Sequence, residues 1–350
     1  QGGTHYFRPD ARLYEGLDLA PVYVGGDADP FQVLRLATAG HGLSLNAWTI
    51  YLHSSRLGSM RPDLTERNVF GDPCLTDLCP ANPTVRAYAQ ALTLDVARLG
   101  CDAIFAESLH YHPLAHGYHH ERYLFDLDPL AAFFLGLCFC SHCEGAARRD
   151  GVDVDAVARH ARDQIEAAFA GRPRHPDPPL GAAGIDRSRL DRLLDGEVSA
   201  YLGVRCRTVA TLASDVAEAA TPSRFYFLDG AGAFKGYATG EPQGEPSADA
   251  GFQIGVAPDA IAGSSVGYQM LGYVRDPDRL RLDVTSYAER LGGPPRVVLR
   301  PTMPDCPTPD NLATKLALLG ELGVSDVDFY HYGLVPLANV EMAATAMRST

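Results

Sequence analysis

The sequence predicts an α/β fold, a (β/α)8 TIM barrel with a long insertion between its fourth and fifth strands. Three observations carry this. Short apolar runs alternate with amphipathic stretches over most of the 350 residues. Eight such runs read as strands, the barrel number. No G-x-G-x-x-G turn follows an early strand, as a nucleotide-binding doubly wound sheet, the alternative architecture, would normally require.

The expected strands are Thr4 to Phe7, Leu19 to Val24, Leu43 to Leu52, Ala103 to Glu107, Arg224 to Asp229, Ser264 to Gln269, Arg296 to Arg300, and Val327 to Tyr332. Between the third and fourth, Asn82 is placed to cap a helix that begins at Pro83. Val85, Tyr88, Ala89, Leu92, Val96 and Leu99 recur at helical spacing, and Gly100 stops the helix. The same grammar returns at Thr308 and Pro309, with Leu312, Leu316 and Leu319 on one face and a stop near Gly323. About 115 residues separate strands four and five, far more than a βα loop and one helix need. A single domain over 1–350 is expected, with an insertion at about 109–223. That insertion carries a His-rich segment, a cysteine cluster, a helix from about Val154 to Ala170, a Pro-rich turn from Pro173 to Pro179, and a helical stretch from about Ser188 to Ala220.

Composition excludes several classes of function. Hydrophobic residues make up 46% and charged residues 21%, ordinary for a chain that buries a large core. A formal charge of −13 without a basic stripe argues against nucleic acid. No run of about 18 apolar residues is present, so no membrane span is expected. The chain opens with Gln-Gly-Gly rather than Met, which suggests a trimmed or processed form and leaves the compartment open. No organic cofactor is expected.

Three of the eight cysteines form Cys138-Phe-Cys140-Ser-His-Cys143. A C-x-C-x-x-C spacing wraps a tetrahedral metal with three thiolates, and Cys79 or Cys74 is available as the fourth ligand. Buried thiols or disulfides are the competing reading.

Together with Leu78-Cys79-Pro80-Ala81-Asn82-Pro83-Thr84-Val85-Arg86-Ala87-Tyr88 and Phe105-Ala106-Glu107-Ser108, this cluster resembles the central part of the family 42 glycoside hydrolases, the zinc-containing beta-galactosidases, and related hydrolase-like barrels. The similarity covers about residues 78 to 143, under a fifth of the chain. It implies a structural zinc on Cys79, Cys138, Cys140 and Cys143 and a general acid/base at Glu107, and it allows a homo-oligomer. The chain departs from the pattern at Ala106, where the family has Asn. It departs again from Leu299 to Asp305, where the family's nucleophilic Glu is missing.

Barrel active sites form at the C-terminal ends of the strands, which makes Glu107 and Asp229 catalytic candidates and Asp305 a third. Glycoside hydrolysis uses two carboxyl groups, about 5 to 5.5 Å apart for retention and about 6.5 to 9.5 Å for inversion. The segment from His110 through His112, His116, His119 and His120 is expected to hydrogen-bond sugar hydroxyls, with Tyr111 or Tyr118 stacking on a ring, in preference to binding metal. Trp48, Asn46 and His53 on strand three, and Tyr332 on strand eight, complete the expected carbohydrate-binding set, although Trp48 also suits a core position. The leading function is a glycoside hydrolase acting on an oligo- or polysaccharide or glycoside. The alternatives are a catalytically silent carbohydrate-binding barrel and a metal-dependent hydrolase working through the His-rich loop.

Overall fold

The computed structural model describes residues 3–26, 29–114, 127–171, 185, 187–232, 239–263 and 266–349. Its strands are β1 (Thr4–His5), β2 (Val22–Tyr23), β3 (Asn46–Ile50), β4 (Thr65–Arg67), β5 (Pro73–Leu78), β6 (Ala103–Glu107), β7 (Arg224–Asp229), β8 (Gly267–Leu271), β9 (Arg296–Leu299) and β10 (Val327–Phe329). Strands β3, β6, β7, β8, β9 and β10 lie side by side in chain order, all parallel, as one curled sheet.

The closed eight-stranded barrel is corrected by this pairing. Six of the expected strands form a half-barrel, while β1 and β2 pair in parallel with each other. Each contributes only two ladder residues, and the next amide, Val24 N–H, bonds back to His5 O instead of to a sheet edge. Phe7 and Leu19 nevertheless bury their side chains in the main core. A groove of about 360 Å³, lined by residues that include Phe7, Phe31, Leu34, Asn46 and Trp48, separates this ribbon from β3.

Ten helices of six or more residues lie among the described residues. They are α1 (Pro30–Ala39), α2 (Ser55–Met60), α3 (Pro83–Ala97), α4 (Pro129–Leu135), α5 (Ser141–Arg149), α6 (Val154–Phe169), α7 (Glu197–Ala219), α8 (Pro277–Leu291), α9 (Pro309–Glu321) and α10 (Leu337–Ser349). The Asn82 side chain accepts from Thr84 N–H at 2.9 Å, and Thr308 accepts from Asn311 N–H at 3.2 Å, so both caps read in the sequence are made.

The expected helical stretch from Ser188 is broken at Leu194 and Asp195, whose φ values are 50° and 52°. Helix α7 begins beyond that break and packs against α3 and β7 as a helix of the half-barrel. Arg86 on α3 ties the two helices together, donating to Thr208 O at 3.1 Å and pairing with Asp215 at 2.6 Å. Helices α4 and α6 build a satellite core around Leu130, Phe134, Val157 and Ile165, which shares Tyr201 and Leu202 of α7. A second two-stranded pair lay outside the sequence reading: β4 and β5 form an antiparallel hairpin between β3 and α3.

His5 on β1 lies edge-on to Phe7, with ring centroids 5.6 Å apart. Burial lowers its pKa from 6.5 to about 4, against the opposing pull of Asp95. A histidine neutral in the folded chain but charged in the unfolded one makes stability fall as pH drops from about 6.5 towards about 4. His5→Gln is therefore expected to flatten that part of the stability curve in urea unfolding at stepped pH; an unchanged slope would contradict the assignment.

Candidate functional site

Strand alternation decides what faces the concave side of the sheet. On β3, Ala47 and Thr49 are buried while Trp48 and Ile50 project to the more open face. The β3–β6 register sets Trp48 beside Phe105 and Ile50 beside Glu107, which places Glu107 at the C-terminal rim. There the Trp48 indole N–H donates to Glu107 Oε2. Asn46 lies on the same face but pairs with Ala103 at the opposite end of the strands, so it does not join Glu107 at the rim.

Below Glu107 the sheet carries a packed floor. Phe105 stacks on Tyr226 with centroids 5.0 Å apart, and the Arg296 guanidinium lies 5.1 Å from the Phe105 ring centre. Arg296 and Gln269 both bond Asp328, at 2.7 and 2.6 Å. Above the floor, Tyr330 packs on Trp48 at 5.6 Å and on Tyr273 at 6.3 Å, and Arg300 covers the Tyr273 ring at 4.3 Å. Tyr330 occupies the position for which the sequence suggested Tyr332; the latter is 78% exposed in a short turn after β10. Burial raises the pKa of Glu107, opposed by the Trp48 hydrogen bond and by the charge of His53.

The other two candidate carboxylates lie inside the protein. Asp229 is 0% exposed, and its Oδ2 accepts from Tyr268 and Tyr287 hydroxyls at 2.7 Å each while Oδ1 accepts from Ala231 N–H at 2.7 Å. Asp305 is equally buried and pairs with Arg300. Burial raises the pKa of both. Of the three, Glu107 alone has solvent access.

Beside Glu107, three of the expected imidazoles converge. The chain continues past β3 along the end of β6, through bonds from Tyr51 N–H to Glu107 O and from Leu52 N–H to Ser108 O, and so delivers His53 to the rim. His53 pairs across an isolated antiparallel bridge with Asp77 of β5. His53 Nδ1 lies 2.9 Å and His112 Nδ1 3.1 Å from the same atom, Asp77 Oδ1. His110 lies tilted against His112 with centroids 5.0 Å apart, its Nδ1 bonded to Tyr111 O at 2.7 Å. Burial opposes the charge on Asp77, but His112 and His53 outweigh it and hold the carboxyl below the usual range. Burial likewise opposes protonation of His53, and Asp77 and Glu107 overcome it and raise its pKa. His119 lies outside the described residues.

The cysteine cluster is assembled from two segments. Cys79 follows β5; Cys138 and Cys140 lie in the turn before α5, and Cys143 is in its first turn. Cys79 Sγ is 3.5 Å from Cys140 Sγ, 3.5 Å from Cys143 Sγ and 3.9 Å from Cys138 Sγ. A disulfide needs about 2.05 Å. Four thiolates bound tetrahedrally at about 2.3 Å lie roughly 3.8 Å apart, so these sulfurs fit a closed metal site. Cys74 is not part of it: its Sγ lies 3.1 Å from Asp77 Oδ2.

The surroundings also suit bound thiolates. Arg67 N–H donates to Cys138 Sγ at 3.4 Å, and the Tyr111 hydroxyl is 3.3 Å from Cys143 Sγ. Buried Arg205 lies 4.2 Å from the Tyr111 ring centre. Burial pushes the Cys79 and Cys138 thiols up, whereas the neighbouring thiols hold Cys140 down. A cation is what allows all four to ionise together.

Compared with protein-family models and with curated proteins, the sequence matches none. No helix among the described residues is long and apolar enough to cross a membrane.

Cys140→Ser removes one of four ligands and is expected to lower both the metal content of the purified chain and its Tm. Elemental analysis alongside a thermal melt checks this, and a metal-free parent with the same Tm as the variant would contradict it.

Proposed function

We propose that the chain is a glycoside hydrolase acting on an oligo- or polysaccharide or glycoside, with Glu107 as general acid/base and a structural zinc on Cys79, Cys138, Cys140 and Cys143. The observation that carries this reading is the setting of Glu107. It stands at the C-terminal rim of a parallel sheet, bonded by the Trp48 indole, with Tyr330 against Trp48 and Tyr273 beyond it. A carboxyl whose pKa is raised by burial keeps its proton closer to neutral pH, as donation to a leaving glycosidic oxygen requires. Aromatic faces beside it offer apolar surface to a sugar ring.

Zinc is the metal of choice for four thiolates in a closed site, where it fixes structure and takes no part in the reaction. It joins the β4–β5 hairpin to the insertion.

A second reading, a carbohydrate-binding half-barrel without turnover, is favoured by one observation. Asp229 and Asp305 are both buried and bonded, so neither presents a second carboxylate to the rim. A panel of aryl glycosides and oligosaccharides separates the two. The hydrolase reading expects turnover that drops at least about 100-fold in Glu107→Gln, the usual size of a general acid/base contribution. It also expects activity to decline as rising pH strips the proton from Glu107, with a midpoint above the ordinary carboxylate range. Sugar binding without turnover would establish the second reading.

A further inference from the structure

We infer that His53, Asp77 and His112 form a second metal site, for a divalent transition cation, at the rim beside Glu107. Two imidazoles and one carboxylate form a donor set that such cations bind readily and that leaves coordination positions open. Donor atoms held at about 2.1 Å around one ion lie roughly 3.0 Å apart at right angles and 3.4 Å apart in a tetrahedron. His53 Nδ1 and His112 Nδ1 stand 2.9 and 3.1 Å from Asp77 Oδ1, and all three residues offer donor atoms within 4.8 Å of one another.

The three residues come from separate segments, each fixed by its backbone. Leu78 N–H bonds to Leu52 O at 2.9 Å and Ser54 N–H to Thr76 O at 2.8 Å, so the strand end carrying His53 is stitched to the one carrying Asp77. His112 N–H donates to the buried Glu66 Oε1 at 3.1 Å. The second Asp77 oxygen accepts from Thr76 Oγ1 at 2.6 Å and from Cys74 Sγ at 3.1 Å, which orients the carboxylate and leaves Oδ1 to the imidazoles. Asp77 and His112 are 1% and 5% exposed, while the His53 side chain retains 31%. The site is thus walled on the protein side and open towards the rim, the arrangement of a metal that keeps a water or substrate position and unlike the closed thiol cluster.

The competing account is a hydrogen-bonded His–Asp–His network that holds no ion. Metal binding, read directly, decides between the two without reference to glycosidase activity. The chain with its thiol site loaded is titrated with Co2+ and followed by equilibrium dialysis and absorption. The inference expects one further equivalent of cobalt that adds weak d–d bands and no thiolate-to-cobalt charge transfer. His53→Ala, at a half-buried position, should weaken this equivalent at least about 10-fold, and Asp77→Asn should abolish it; circular dichroism verifies that each variant is folded. The thiol-site metal should persist in His53→Ala. A folded parent that takes up no further equivalent, or a His53→Ala variant that binds it undiminished, overturns the assignment. A chain that binds this cation yet hydrolyses no glycoside leaves the inference standing and defeats the glycosidase proposal.

Discussion

The contact of four buried thiols at Cys79, Cys138, Cys140 and Cys143 is the constraint on which the rim of the half-barrel depends. The β4–β5 hairpin is short, and an isolated two-stranded hairpin is marginal in water. It is held at its far end by Cys79, two residues beyond Asp77, and along its edge by the bond from Phe139 N–H to Arg67 O at 2.7 Å. Tyr201 of α7 closes the connection by donating to Cys138 O at 2.6 Å. The insertion, the hairpin and the helix layer thus meet at the sulfurs. A shift there would carry Asp77 with it, and with Asp77 the imidazoles beside Glu107.

Parallel strand order supplies the other half of the site. All six strands of the sheet point the same way, so their C-terminal ends and the segments that follow them gather on one rim. Glu107, His53, Tyr273 and Tyr330 arrive there from different strands, and the filled layer of Phe105, Tyr226, Arg296 and Asp328 beneath them closes the sheet interior. Phe7 and Leu19, which flank the ribbon formed by β1 and β2, pack into the core, and the ribbon does not complete the wall.

Part of this was legible in the sequence, for reasons that can be named. Ala103 to Glu107 is an apolar run ending in a carboxylate, and burial of its first four residues follows from that run alone. The C-x-C-x-x-C spacing is local, so Cys138, Cys140 and Cys143 could be grouped without knowing the fold. Asp229 also ends a strand, but what surrounds it comes from Tyr268 and Tyr287, 39 and 58 residues away, and no local pattern announces them. Asn46 was expected in the binding set, but β3 begins at Asn46 and not at Leu43, so Asn46 pairs with Ala103 at the end of the strands far from Glu107. The hairpin escaped notice because β4 has three residues and β5 opens with Pro73, too little alternation to signal a pair. With it went Asp77 as the residue that gathers His53 and His112.

The measurement that reaches the central claim most directly is X-ray absorption at the zinc edge of the purified chain. With the more open His–Asp–His site first emptied by dialysis against a mild chelator, the account predicts a single sulfur shell of four ligands at about 2.3 Å. A metal-free chain, or a metal surrounded mainly by nitrogen and oxygen, would contradict it.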